Sequence, residues 1–230
     1  MNSVQPNAES HDSRYYDNAA KLGINRRLSH AARVRNYRHF AETMHPTAQT
    51  EILDLGTCDE ITPEANMLQQ MHPHRERITC ASLGDGAPIL AAYPGVRHVR
   101  VTPGRLPFAD AQFDIAFSNA VLEHVGPEET QHAFVLEMCR VARRVYLAVP
   151  NRLFPVEHHT CIPLLHWLPK PWFRAMLRRT RFAFYGHEEN LNHASASQLQ
   201  SWFPNGRKVG IAYTGIGFGV FRSNLVAFDQ

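Results

Sequence analysis

Lysine is the scarcest charge in this chain. Only Lys21, Lys170 and Lys208 accompany the arginines, and the formal net charge is just +3. A balance that small carries no general field for a polyanion, so composition gives no support for a nucleic-acid partner. Cysteine is equally sparse. Cys58, Cys80, Cys139 and Cys161 are far apart and form no CxxC pair, which excludes a disulfide framework and a thiolate zinc site. Long apolar runs are missing too. The most apolar late stretch, Val209 to Phe228, is broken by Arg222, Ser223 and Asn224 and is rich in glycine, so no transmembrane helix is expected. The polar N-terminus has no apolar signal-peptide core. These absences lead us to expect a reduced, cytoplasmic protein. With 230 residues, 44% hydrophobic and 20% charged, the chain is long enough for one α/β domain with embellishments.

Residues 1–13 are polar and read as a disordered tail, and Tyr15 to Met44 reads as helical. Leu28, Ala31, Ala32, Phe40, Ala41 and Met44 fall on one face, and Arg26, Arg27, Arg33, Arg35 and Arg38 cluster elsewhere. We read those arginines as a solvated face. After Pro46 the run Glu51-Ile52-Leu53-Asp54-Leu55-Gly56 has the form of a buried parallel strand, and a helix-compatible segment from Pro63 to Met71 follows. Gly56 allows close approach of a ligand to the backbone. Further strands are expected at 77–82, 97–101, 113–117 and 144–151, then a closing pair at 208–212 and 221–228. Gly126-Pro127-Glu128-Glu129 opens a helix whose core face is Phe134, Met138 and Val141. Ser195 and Gln198 form a capping box for a helix reaching Trp202.

Two stretches carry a resemblance. Ile52 to Glu60 resembles motif I of the class I S-adenosylmethionine-dependent methyltransferases, with Cys58 and Glu60 where that motif has its second and third glycines. Leu106 to Val125, containing Leu106-Pro107-Phe108, Phe113-Asp114 and Leu122-Glu123-His124, resembles the "LPF…FD…LEH" block of the same superfamily at the right distance downstream. The resemblance covers about residues 48–150 and 195–230. It implies an α/β fold: a Rossmann-like, doubly wound, seven-stranded sheet, mostly parallel with an antiparallel C-terminal strand. N-terminal helices (1–47) would precede the domain (48–230), and 152–194 would be a helical cap insertion.

The same resemblance implies S-adenosylmethionine as cofactor. It puts Asp54 and Gly56 at the methionine part, with Thr57, Cys58 and His124 also on the cofactor-binding surface. Leu106 and Pro107 would lie at the adenine, and Ser118 and Asn119 along the floor. The ribose acid usual at the end of the second strand is replaced by Ser82, with Asp85 as a possible substitute. Thr102-Pro103-Gly104 stands where an acid usually follows the third strand.

Acceptor recognition is expected in 152–194, because that insertion leaves the sheet at its carboxyl edge. Glu157, His158 and His159 are the candidate catalytic groups, a histidine base oriented by Glu157, with purely structural histidines as the open alternative. Asn151, Arg152, Tyr185 and Asn190 are candidate acceptor contacts. The adjacent histidines, with Cys161 and His166 irregularly spaced, are poor geometry for a closed tetrahedral site, so no metal is expected. The function expected is methyl transfer to a small-molecule, carbohydrate or lipid-linked acceptor. No Asn-Pro-Pro-aromatic motif points to nucleic acid, and the oligomeric state cannot be read. The alternative is a non-catalytic protein of this fold with a degenerate cofactor site.

Overall fold

The computed structural model describes residues 23–230. The expected tail and the start of the first helix lie outside them. Helix α1 (Gly23–Met44) leads into seven strands: β1 (Ile52–Leu55), β2 (Ile78–Ser82), β3 (Arg97–Arg100), β4 (Phe113–Asn119), β5 (Ala142–Pro150), β6 (Val209–Thr214) and β7 (Asn224–Asp229). They form one sheet in the order β3-β2-β1-β4-β5-β7-β6. All neighbours are parallel except β7, which runs antiparallel to both β5 and β6. The strand order reverses direction at β1 and β4, which creates the crevice where ligands of doubly wound sheets bind.

Both faces are covered, which is why β1 and β2 are buried at every residue. On one face Phe40 and Met44 of α1 pack with Ile52, Ile78, Ile115 and Tyr146. On the other, α4 (Glu128–Val141) and α6 (Ala196–Trp202) bring Val135, Met138, Leu199 and Trp202 onto Leu53, Leu55 and Leu147. Two short helices, α2 (Met67–Met71) and α3 (Ala87–Ala92), complete the crossovers, and α5 (Lys170–Leu177) lies in the 152–194 segment. The exposed β3 edge carries Arg97 and Arg100, charges that discourage edge-to-edge pairing.

Two sequence expectations are corrected. In α4 the first turns bury Gln131 and Val135, while Phe134 is half-buried and lines a cavity. In α1 the buried line is Ala32, Asn36, Phe40 and Met44, one residue in four. A polar Asn36 sits in it because three partners satisfy it. Its carbonyl accepts from the Tyr146 hydroxyl at 3.1 Å, its Oδ1 accepts from Thr214, and its Nδ2 donates to Asn119 at 3.4 Å. Leu28, expected in the core, is 44% exposed and borders the cavity.

The 152–194 segment has a small core of its own: Phe173, Leu177, Phe182, Tyr185 and Leu191, with Leu168 packed against it. Asn192 fastens it to the sheet. Its backbone N–H donates to the Glu123 carbonyl, its side-chain amide to the Gly126 carbonyl, and its Oδ1 accepts from Lys170 and Arg174. No helix among the described residues is long and apolar enough to cross a membrane.

Candidate functional site

A cavity of about 1140 Å³ opens at the carboxyl edge of β1, β2 and β4 and runs beneath the 152–194 segment. The turn after β1 forms one wall. Gly56 has φ +93°, and its N–H donates to the Ala81 carbonyl at 2.8 Å, tying the turn to β2. Cys58 and Glu60, which replace two glycines, have no positive φ and need none. Asn66 holds that loop instead. Its Oδ1 accepts from the Cys58 N–H at 3.1 Å and its Nδ2 donates to the Cys58 and Glu60 carbonyls. A side chain at Gly56 would strike Val121, which stands 2.4 Å from the position a Cβ would take.

Of the residues expected at the cofactor, Gly56, Thr57, Cys58, Ser82, Leu106, Asn119 and His124 line the cavity. Thr57 is buried at the cavity wall and its hydroxyl has no hydrogen-bond partner. Ser82 shares a hydrogen bond of 2.9 Å with His98 Nε2. Asp54, Asp85, Pro107 and Ser118 are not among the lining residues. Asp54 is buried behind β1, accepting from Gln69 Nε2 at 2.6 Å, and burial raises its carboxyl to about 7. Asp85 is exposed and accepts from the Ala87 N–H. Pro107 is exposed. Ser118 donates to the Leu55 carbonyl at 2.8 Å, locking β4 to β1.

Further wall of the cavity is built from the turn after β4 and from 154–161. Glu123, His124, Glu157, His158, His159 and Asn190 all line it. His159 Nδ1 lies 2.8 Å from Glu157 Oε1, His159 Nε2 lies 3.0 Å from His124 Nε2, and His124 Nδ1 lies 2.7 Å from the Asn190 carbonyl. The carbonyl can only accept, so His124 carries its proton on Nδ1 and its Nε2 is an acceptor. His159 then donates from both nitrogens, as a cation between Glu157 and His124. The electrostatics agree. Burial opposes both charges, yet each partner upholds the other, keeping Glu157 well below the carboxylate range and His159 raised. Burial and the His159 charge hold His124 well below its ordinary value.

His158 differs from its neighbour. Its ring lies 5.4 Å from that of Phe154, tilted by 48°, its Nε2 has no hydrogen-bond partner, and burial holds it at about 4. Glu123 is 2% exposed with both carboxylate oxygens unpartnered, and burial raises it to about 7.

The four expected acceptor contacts divide. Asn190 lines the cavity. Asn151 spends its side chain on the Val220 and Arg222 carbonyls and the Leu153 N–H. Arg152 donates to the His166 and Leu168 carbonyls, bracing the cap. Tyr185 is fully buried with its ring 5.1 Å from His159. Sequence reasoning missed Glu123, Arg33, Glu60, Glu64 and Phe154 as lining residues. Only Glu123 carried a signal, its place beside His124 in the Leu-Glu-His turn.

The profile of the methyltransferase-domain family matches residues 53–145, from β1 into β5. The match gives that stretch the sequence pattern of a methyltransferase domain. No curated protein sequence matches the chain. Solved structures share the fold. The YcgJ protein of Bacillus subtilis is 17% identical, with a TM-score of 0.53 over 76% of this chain and 69% of that one. The N-methyltransferase NodS of Bradyrhizobium japonicum, solved with S-adenosyl-L-homocysteine, is 12% identical, with a TM-score of 0.55 over 95% and 98%. A structure of a Haloferax volcanii methyltransferase complexed with the activator Trm112 gives 14% identity and a TM-score of 0.60 over 99% and 98%.

Proposed function

We propose that this chain transfers the sulfonium methyl of S-adenosylmethionine to a hydroxyl or amine of a small-molecule, carbohydrate or lipid-linked acceptor. The observation that carries this reading is the cavity itself. Its walls hold both a backbone turn with an orphan Thr57 hydroxyl and a cluster of histidines and carboxylates. Its volume exceeds the 300–1,000 Å³ usual for a single ligand, enough for cofactor and acceptor side by side.

In the transfer, the acceptor's oxygen or nitrogen attacks the methyl carbon in line with sulfur. The carbon–sulfur bond breaks, S-adenosylhomocysteine leaves, and the acceptor loses a proton. The chain's task is to align the two reactants and take that proton. His158 fits the second role, since it lines the cavity with a neutral ring and a buried Nε2 that has no hydrogen-bond partner. His159 fits it poorly, since both of its nitrogens are engaged. Replacing His158 by Asn should cut turnover about 10²–10⁴-fold and leave cofactor affinity unchanged.

A second reading, a binding protein without turnover, is favoured by one observation. Neither Ser82 nor Asp85 offers the ribose a carboxylate, since Ser82 bonds to His98 and Asp85 to Ala87. Calorimetric titration with S-adenosylmethionine and S-adenosylhomocysteine, followed by an acceptor screen scored by S-adenosylhomocysteine release, separates the two. Binding with release on one acceptor class supports transfer. Binding with no release anywhere favours the second reading, and no binding removes both.

A further inference from the structure

We propose that Glu123, His124 and His159 form a divalent transition-metal site, one face of which opens into the cavity. The three residues bring a carboxylate oxygen and two imidazole nitrogens within 4.8 Å of one another. This is the two-His, one-carboxylate donor set that suits Zn²⁺, Mn²⁺, Fe²⁺ or Co²⁺, with positions left for an exogenous ligand.

The geometry points to an ion in several independent ways. The two Nε2 atoms face each other at 3.0 Å with the rings near perpendicular. Two donors each about 2.1 Å from one ion and about 90–100° apart are themselves about 3.0–3.2 Å apart. Glu123 Oε1 lies 3.7 Å from His124 Nε2, which fits a wider angle at the same ion. Both Nδ1 atoms are committed to acceptors, one to the Glu157 carboxylate and the other to the Asn190 carbonyl. That arrangement fixes the Nδ1–H tautomer and aims both Nε2 lone pairs at one point, the supporting shell that metal-bound histidines have. The Glu123 carboxylate lies there buried with neither oxygen hydrogen-bonded. A buried carboxylate without a partner is costly, and a cation is what removes the cost. Without an ion, a single proton shared between the two Nε2 atoms relieves the contact, so metal and proton compete for one place.

A neighbouring set, Glu157, His159 and His193, also gathers three donors. It fits an ion less well. Glu157 already accepts from the His159 and Thr160 N–H groups and from His159 Nδ1, and His193 does not line the cavity. In the proposed arrangement Glu157 is a positioning residue for His159.

The role of the ion rests on the methyl-transfer reading above, whereas its binding does not. An acceptor oxygen entering the open position would have its proton affinity lowered by the ion, with His158 nearby to take the proton. The acceptors favoured are those that present an oxygen donor rather than an isolated amine.

The test uses tag-free, chelator-treated full-length protein and Co²⁺, Mn²⁺ and Zn²⁺ themselves as probes. The expected result is one equivalent of Co²⁺ with visible d–d absorption, displaced by Zn²⁺. Glu123→Gln and His124→Gln should each abolish that spectrum, and Glu157→Gln should weaken the affinity about 10–100-fold. The thermal midpoint, measured on every variant, reports folding and stands apart from the metal. Wild-type protein that shows no d–d bands, or variants that keep wild-type Co²⁺ affinity because surface histidines hold the ion, would overturn the site. A metal bound as expected in a protein that turns over no acceptor would leave the site standing and sink only the catalytic role.

Discussion

Thr57 shows how one side chain separates binding from folding. Its hydroxyl is buried, borders the cavity and has no partner within the protein. Thr57→Val keeps the shape and removes an unsatisfied polar atom, so the thermal midpoint should hold or rise. S-adenosylhomocysteine affinity should fall about 2–10-fold, the net worth of one hydrogen bond. Calorimetry beside a melting curve checks both, and an unchanged affinity would move the ligand away from this turn. Asp54 makes the converse case. Motif resemblance puts it at the cofactor, but it lies behind β1 with its carboxyl raised to about 7 by burial. A raised carboxyl binds its proton more tightly folded than unfolded. Its contribution is therefore fully present below the ordinary carboxylate range and is lost as pH climbs through about 7. Asp54→Asn keeps an acceptor for Gln69, and its midpoint should fall less between about pH 5 and about pH 8 than wild type. Parallel slopes would mean Asp54 is ionised throughout. Residue identities in a motif were readable from the sequence; which side of a strand each one served was not, because the decision lies in packing partners 15 or more residues away, such as Gln69.

Elements were more legible than their surfaces. Every strand appears within a few residues of its expected place, since buried parallel strands are short apolar runs bounded by turn residues. The capping box at Ser195 is present in full, with Ser195 accepting from the Gln198 N–H and Gln198 Oε1 accepting from the Ser195 N–H. Ser195→Ala should cost about 1 kcal/mol and lower the midpoint by about 2–4 °C, because α6 buries Leu199 and Trp202 against the sheet. A shift below a degree would show that packing alone holds α6. What stayed hidden were loops fastened by single side chains. Asn66 holding the turn after β1 and Asn192 holding the cap follow no periodic pattern, since Asn66 reaches back to the Cys58 and Glu60 carbonyls and Asn192 to a carbonyl 66 residues away. The Glu123, His124 and His159 cluster was illegible for the same reason. The spacing of His158 and His159 argued against a metal, yet the donors that meet come from opposite sides of the cavity mouth, 35 residues apart for the two histidines.

At the scale of the whole molecule, the cavity joins parts that lie far apart in sequence. The turns after β1 and β4, the start of α1 and the 152–194 segment each contribute lining residues, among them Gly56, Glu123, Leu28 and His159. A ligand bridging them binds only the folded arrangement, so it stabilises the fold by mass action. At a hundredfold excess over its dissociation constant that gain is about 2.7 kcal/mol, which for a chain of this length raises the midpoint by about 5–10 °C. S-adenosylhomocysteine should produce such a rise, and NAD, whose three-glycine fingerprint the turn after β1 lacks, should produce none. The comparison is informative because both ligands carry adenosine. A shift with both would mean that the cavity recognises adenosine alone and that the turn at Gly56 contributes nothing to selectivity. A shift with NAD only would set aside the methyl-transfer reading, since the orphan Thr57 hydroxyl and the histidine cluster would then serve a different ligand.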